Sequence, residues 1–216
     1  MPPATVDLRY APRKWQEQCH RGMKRFNVLA LHRRAGKTEL AIMQLIDQAI
    51  EFKRDLGLFV YIAPFLRQAK AIAWTRLKQK IVPLLDAVSV NEVDLSVTFK
   101  HNGATIRLFG GDNPDALRGV RLDGCVIDEV AQIKPEVWND IVQPALSDRK
   151  GWAVFGGTPK GRNEFWQVRE QARKNPNEWF LIELRADESQ ILDASEIEDT
   201  RKQLTEEQFA QEYLCD

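Results

Sequence analysis

Five short apolar runs set the architecture before any motif is considered. FNVLAL (26–31), LGLFVYIA (56–63), DGCVIDE (123–129), GWAVFGG (151–157) and EWFLIEL (178–184) are bounded by glycine or charge. Runs this short and nearly continuous suit strands of a parallel sheet covered on both faces. A sheet with one wet face would alternate apolar and polar residues instead. Between the runs lie amphipathic stretches at residues 38–52, 66–80, 135–146 and 164–174. Strand and helix in alternation predict an α/β fold, with a central, mostly parallel sheet flanked by helices. One segment departs from the pattern: residues 95–99 and 104–109 alternate around His101-Asn102-Gly103, which predicts an antiparallel hairpin at the sheet edge. Residues 193–214 predict two short helices, the second capped by Thr205 with Glu206 and Glu207 in its first turn. With no repeat or Gly/Ser linker, the chain divides into one core, residues 1–186, and a helical C-terminal lid or linker, residues 187–216.

The first segment loaded with chemistry is Leu31-His32-Arg33-Arg34-Ala35-Gly36-Lys37-Thr38, between an apolar strand and a helix. In that setting, successive backbone N–H groups and a helix N-terminus form a cradle for a triphosphate. Arg33, Arg34, Ala35, Gly36, Lys37, Thr38 and Glu39 then make up the nucleotide-binding stretch. Lys37 would reach the β- and γ-phosphates, and the Thr38 hydroxyl would hold Mg²⁺. The usual pattern has glycine five residues before Gly36, where this chain has Leu31. Taken alone, the segment also fits an ordinary strand-to-helix turn with a solvated lysine.

A second motif weighs against that alternative. Cys125-Val126-Ile127-Asp128-Glu129 is an apolar strand ending in two adjacent acids, about 90 residues after the loop. Carboxylates are rarely buried without partners, so packing alone is a poor reason for them there. Asp128 suits the Mg²⁺ shell, and Glu129 suits the polarisation of an attacking water. Together the motifs predict a Mg²⁺-dependent P-loop ATPase.

Composition adds a few bounds. The formal net charge is zero, yet residues 187–216 hold 10 acidic and 2 basic side chains, leaving 29 basic and 21 acidic in residues 1–186. A nucleic-acid partner would therefore meet local basic patches rather than a globally basic surface. Three cysteines far apart suit a reducing, intracellular setting better than a disulfide framework, and no spacing proposes a zinc site. No apolar run reaches the length of a membrane span, and the charged, proline-containing start is unlike a signal peptide.

With these motifs in place, the sequence resembles the ATPase domain of the large terminase subunit of tailed phages over nearly its whole length. His32-Arg33-Arg34-Ala35-Gly36-Lys37-Thr38 is similar to the family's arginine-rich phosphate loop, with His32 where that loop has glycine. Tyr10-Ala11-Pro12 followed by Trp15-Gln16 resembles its adenine-recognition segment, which implies that Gln16 reads the adenine edge and leaves Trp15 a candidate for stacking. Tyr61-Ile62-Ala63-Pro64, with Gln68, Ala69, Lys70 and Trp74, looks like its second conserved block. Residues 113–119 resemble the segment before the acidic strand, making Arg118 a candidate finger for a neighbouring subunit. Arg33 and Arg34 compete for the charge-stabilising role. Gly156-Gly157-Thr158-Pro159 looks like the coupling motif, with Thr158 sensing the γ-phosphate, and residues 209–216 resemble the segment that closes the ATPase portion.

The resemblance implies an ASCE, RecA-like P-loop fold that binds ATP and Mg²⁺ and translocates double-stranded DNA into a procapsid. It implies a ring of large-subunit copies, a portal protein and a small terminase subunit as partners, no membrane, and the host cytoplasm as location. In the family a nuclease domain follows; this sequence ends at Asp216, so nuclease activity is not expected in it. Lys100, Lys160 and Arg162 are candidates for DNA contact. Two other readings remain: a helicase-like ATPase stimulated by nucleic acid, and a non-catalytic module that assembles with nucleotide. A two-core helicase would need more chain than the roughly 60 residues after Thr158.

Overall fold

Each of the five apolar runs forms a strand in the computed structural model, which describes residues 6–54, 56–159 and 161–215. They are β1 (Phe26–Leu31), β2 (Leu58–Ala63), β6 (Gly124–Ile127), β7 (Trp152–Gly157) and β8 (Trp179–Leu184). The expected hairpin supplies β4 (Ser96–Phe99) and β5 (Thr105–Gly110). A further strand, β3 (Val88–Asn91), lies beside β4 and was not anticipated. All eight join one sheet in the order β3-β4-β5-β2-β6-β7-β1-β8. From β5 to β8 every pairing is parallel, and only β3–β4 and β4–β5 are antiparallel.

Both faces are covered, as the apolar runs require. All six residues of β1 are buried. Leu29 and Leu31 enter one core cluster, and Val28 and Ala30 the other. Helix α1 (Lys14–Gly22) was not among the expected helices, whereas α2 (Lys37–Ile50) matches one closely. α2 lies over β2, β5 and β6, and the helix Glu164–Lys174 packs against β1, β7 and β8. Buried residues run almost unbroken from Leu40 to Ile46 in α2, because the helix is itself covered by other elements.

The hairpin does more than close an edge. The Asn102 amide donates to Ala49 O at 2.9 Å and Phe52 O at 3.0 Å, and the His101 ring meets Ile50 O at 3.0 Å. These contacts satisfy carbonyls that the end of α2 would otherwise leave bare. Beyond β8, Thr205 caps the second C-terminal helix as expected, accepting from Gln208 N at 3.2 Å. Among the described residues no helix is long and apolar enough to cross a membrane. Cys19, Cys125 and Cys215 are free and buried, and burial pushes the thiol of Cys19 up to about 12.

Parallel pairing has a direct functional consequence. β6, β7 and β1 are adjacent and point the same way. Their C-terminal ends therefore deliver Asp128–Glu129, Thr158 and the loop after Leu31 to one edge of the sheet.

Candidate nucleotide site

Leu31 is the last residue of β1, paired with Leu184 and fully buried. The missing glycine is thus a strand residue, and the loop proper begins at His32. Its tightest point is Gly36, at φ 104°, just before α2. A Cβ there would lie 3.2 Å from Gln16 Nε2 and 3.3 Å from Arg13 Nη1, so conformation and space both favour glycine. Arg34 also adopts a left-handed backbone, at φ 61°.

Neighbouring segments hold the loop from outside. Arg13 Nη1 donates to Ala35 O at 2.5 Å, and Gln16 Nε2 to Gly36 O at 3.2 Å. His32 N donates to Leu184 O at 3.1 Å, and Arg33 N to Glu212 O at 3.0 Å. Lys37 turns inward, not to solvent: its ammonium donates to Leu31 O at 2.7 Å and His32 O at 3.3 Å. His32 is fully buried with Nδ1 at 2.6 Å from Arg33 O. Burial holds its imidazole below the usual range; the bond to Arg33 opposes this, and the charges of Lys37 and Arg13 reinforce it. A neutral ring then donates from Nδ1, and Nε2 has no hydrogen-bond partner.

The acids stand across from the loop. β6 stops at Ile127, and Asp128 N donates to Ile62 O at 2.8 Å. Asp128 accepts the Tyr61 hydroxyl on Oδ2 and Glu129 N on Oδ1 at 3.1 Å. Glu129 has φ 50° and ψ 49°, left-handed for a residue with a side chain. That conformation costs on the order of 1–3 kcal/mol and must be held by its surroundings. It separates the two carboxylates by a backbone turn rather than by strand alternation. Burial raises the Glu129 carboxyl above its ordinary range. Asp128 and Glu212 add to this, while Lys37 and Arg33 oppose it.

The loop and Glu129 line a cleft of about 880 Å³. Its charged lining is Arg9, Arg13, Arg33, Arg34, Lys37 and Arg76 against Glu39 and Glu129. Glu39 is itself paired, to Lys80 at 2.6 Å and Arg76 at 3.2 Å. Gln16, Ala35, Gly36 and Thr38 also face the cleft. A smaller cavity of about 290 Å³ shares Arg33, Thr38 and Glu129, and adds Tyr61, Asp128 and Glu212.

Other expected positions fall differently. Gln16 is buried, its amide oxygen accepting Arg13 N at 2.8 Å. Trp15 is a core residue beneath Gly36 and not part of the cleft lining. Thr158 is buried at the end of β7, beside the acids, but lines neither cavity. Arg118 lies outside both, exposed and paired with Asp115 at 2.7 Å. Lys100 follows β4, which runs against β5, so it sits at the opposite edge of the sheet from Arg162. The six residues of β7 put roughly 20 Å between those edges. Arg162 covers the Trp166 ring at 5.6 Å, and Lys160 lies outside the described residues.

This arrangement has known counterparts. A family model described as terminase large subunit, T4likevirus-type, N-terminal, matches residues 30–216. The chain belongs to this terminase large-subunit family. The terminase large subunit of Thermus virus P23-45 is 32% identical over 178 residues, a match covering 74% of this chain and 36% of that protein. The large subunit of Thermus phage G20c matches to the same extent. This chain spans about a third of the length of those curated terminases. The Thermus phage P74-26 large terminase ATPase domain superposes with a TM-score of 0.85 at 25% identity, covering 97% of this chain and 95% of that one. The HK97 bacteriophage large terminase shares the fold, with a TM-score of 0.84 at 11% identity over 96% of this chain and 51% of its own. The terminase fold is thus the RecA-like P-loop architecture that the resemblance implied.

Several residues of this terminase site escaped the sequence reading. Arg9, Arg13 and Arg76 enter the cleft from other segments, and Glu212 returns from near the end of the chain. Arg13 had half a signal: Gln16 stands three residues on, where its side chain can reach back to the Arg13 backbone N–H at a helix start. Tyr61 had another, as one phenol in an otherwise apolar buried strand must find a partner for its hydroxyl.

Proposed function

We propose that this chain is the ATP-hydrolysing motor domain of a viral terminase large subunit, which drives double-stranded DNA into a procapsid. The observation that carries this reading is the charge of the cleft. Six cationic side chains against two acids line it, with Lys37 turned in and Glu129 opposite. Such a site favours a polyanion, and a triphosphate has both the charge and the length to occupy it.

In the proposed reaction, Glu129 orients a water for in-line attack on the γ-phosphorus, and the bond to the β-phosphate oxygen breaks to leave ADP. Lys37 and an arginine, from Arg33, Arg34 or a neighbour's Arg118, neutralise charge on the transferring group. Backbone groups of Arg34, Ala35, Gly36 and Thr38 bind phosphate, and Gln16 is assigned to the adenine. Glu39 closes the phosphate side through its bonds to Arg76 and Lys80. Thr158 reports phosphate loss. Thr38 and Asp128 offer hard oxygen donors that suit Mg²⁺, which usually takes few protein ligands beside phosphate and water. The ion would supply charge neutralisation there.

Residues 1–186 are assigned to the catalytic core and 187–216 to a lid or linker that answers the loop through Glu212. A ring of copies, a portal protein and a small terminase subunit complete the proposed assembly, in the host cytoplasm. The test is ATP turnover with and without double-stranded DNA, for wild type and Glu129→Gln, alongside calorimetric ATP binding. Binding retained with turnover down roughly 10²–10⁴-fold in Glu129→Gln is expected, and DNA stimulation supports the motor. Undiminished turnover in the variant removes Glu129 from catalysis, and absence of ATP binding in wild type overturns the reading.

A further inference from the structure

The phenol of Tyr61 is the one polar group of an otherwise apolar strand, and its surroundings give it a defined position. Tyr61 lies in β2, paired in register with Val126 of β6, two residues before Asp128. The ring is buried. Its hydroxyl donates to Asp128 Oδ2, and Thr38 lines the same small cavity beside it. The phenol oxygen therefore holds one of the groups assigned above to the metal, at the end of β6, and faces the same cavity as the other, at the start of α2.

We propose that Tyr61 is a positioning residue for the nucleotide-bound divalent cation, its hydroxyl fixing the spacing and orientation of Thr38 and Asp128. This rests on the ATPase reading above. Three features favour it over space filling. The two partners come from segments 90 residues apart, so no local backbone bond sets their separation. The hydroxyl proton is committed to the carboxylate, which leaves the phenol oxygen able to accept from the Thr38 hydroxyl across the cavity they share. Asp128 accepts Glu129 N on its other oxygen, so the carboxylate is gripped at both ends and its plane is set. Partners behind a metal ligand commonly change metal affinity 10–100-fold when removed.

Tyr61→Phe keeps the ring and deletes only the bridging atom. In this variant we expect the Mg²⁺ concentration for half-maximal turnover to rise about tenfold or more. Mn²⁺ affinity of the protein–ADP complex, read by electron paramagnetic resonance, should fall by a similar factor, while ADP affinity in EDTA stays at the wild-type value. Wild-type metal dependence in a folded Tyr61→Phe overturns the proposal, as does a loss of melting temperature with no change in metal affinity. Should the variant not fold, the wild type gives the same answer. Only three tyrosines are present, so ring-¹³C labelling resolves Tyr61, whose signal should move with Mg²⁺–ADP and not with ADP in EDTA. A signal indifferent to the metal overturns the proposal. Wild type that binds no nucleotide, with or without metal, instead overturns the ATPase reading beneath it.

Discussion

The floor and the rim of the cleft are built by different means. Lys37, Thr38 and Glu129 follow the ends of β1 and β6, so the backbone of the sheet sets where they stand. At the rim, side chains from distant segments hold one another: Arg33 with Glu212 at 3.5 Å, and Glu39 with Arg76 and Lys80. The Arg33 side chain is 66% exposed, and partly exposed pairs of this kind contribute about 0–1 kcal/mol. Ladder hydrogen bonds and buried apolar neighbours make the floor stiff. The rim is held by charges that an incoming anion can recruit. On the proposed reading, chemistry falls to the first and response to ligand to the second.

The largest expected effect tests the floor. Lys37→Ala removes the inward ammonium, and turnover should fall roughly 10²–10³-fold, comparable to the loss of a transition-state donor. Steady-state phosphate release measures it; wild-type rates would dismiss the phosphate-loop assignment. The rim should respond less. Glu212→Gln frees Arg33 from its ion pair, and we expect turnover to change by less than about tenfold with melting altered by under about 1 kcal/mol. A loss as large as that of Lys37→Ala would erase the distinction between the two regions.

The smallest effect concerns His32, at the start of the loop. Its folded-state pKa is lowered by burial, while the unfolded chain titrates near the ordinary value of about 6.5. Its contribution to stability is therefore complete above about pH 6.5 and declines as pH falls toward the depressed folded value. Thermal unfolding at pH 7.5 and 5.5 should show wild type losing more stability on acidification than His32→Asn. Equal losses would show that folding does not lower the proton affinity of the His32 ring.

The same contrast explains what could be read from sequence. The five apolar strands and the acidic tip of DGCVIDE were legible because burial on both faces leaves a compositional trace. VSVN at residues 88–91 left none: it is four residues long, half polar, and paired on one side only. α1 was obscured because Gln16 is buried by hydrogen bonds rather than by hydrophobicity. Rim pairs such as Arg33 with Glu212 join positions far apart in the chain, and no local pattern encodes them. Arg118 was legible as a loop arginine, but its exposure outside the cleft follows only from the fold.

α2 is fastened at both ends. Its first residue, Lys37, is bonded into the phosphate loop, and its last carbonyls are clasped by Asn102 in the hairpin turn. Fourteen helical residues span about 21 Å, the depth of the sheet. The helix is thus a strut rather than a cover. An axial push where the γ-phosphate would sit is either absorbed as compression of the helix or delivered to the turn bearing Lys100 and His101, on the far side of the molecule.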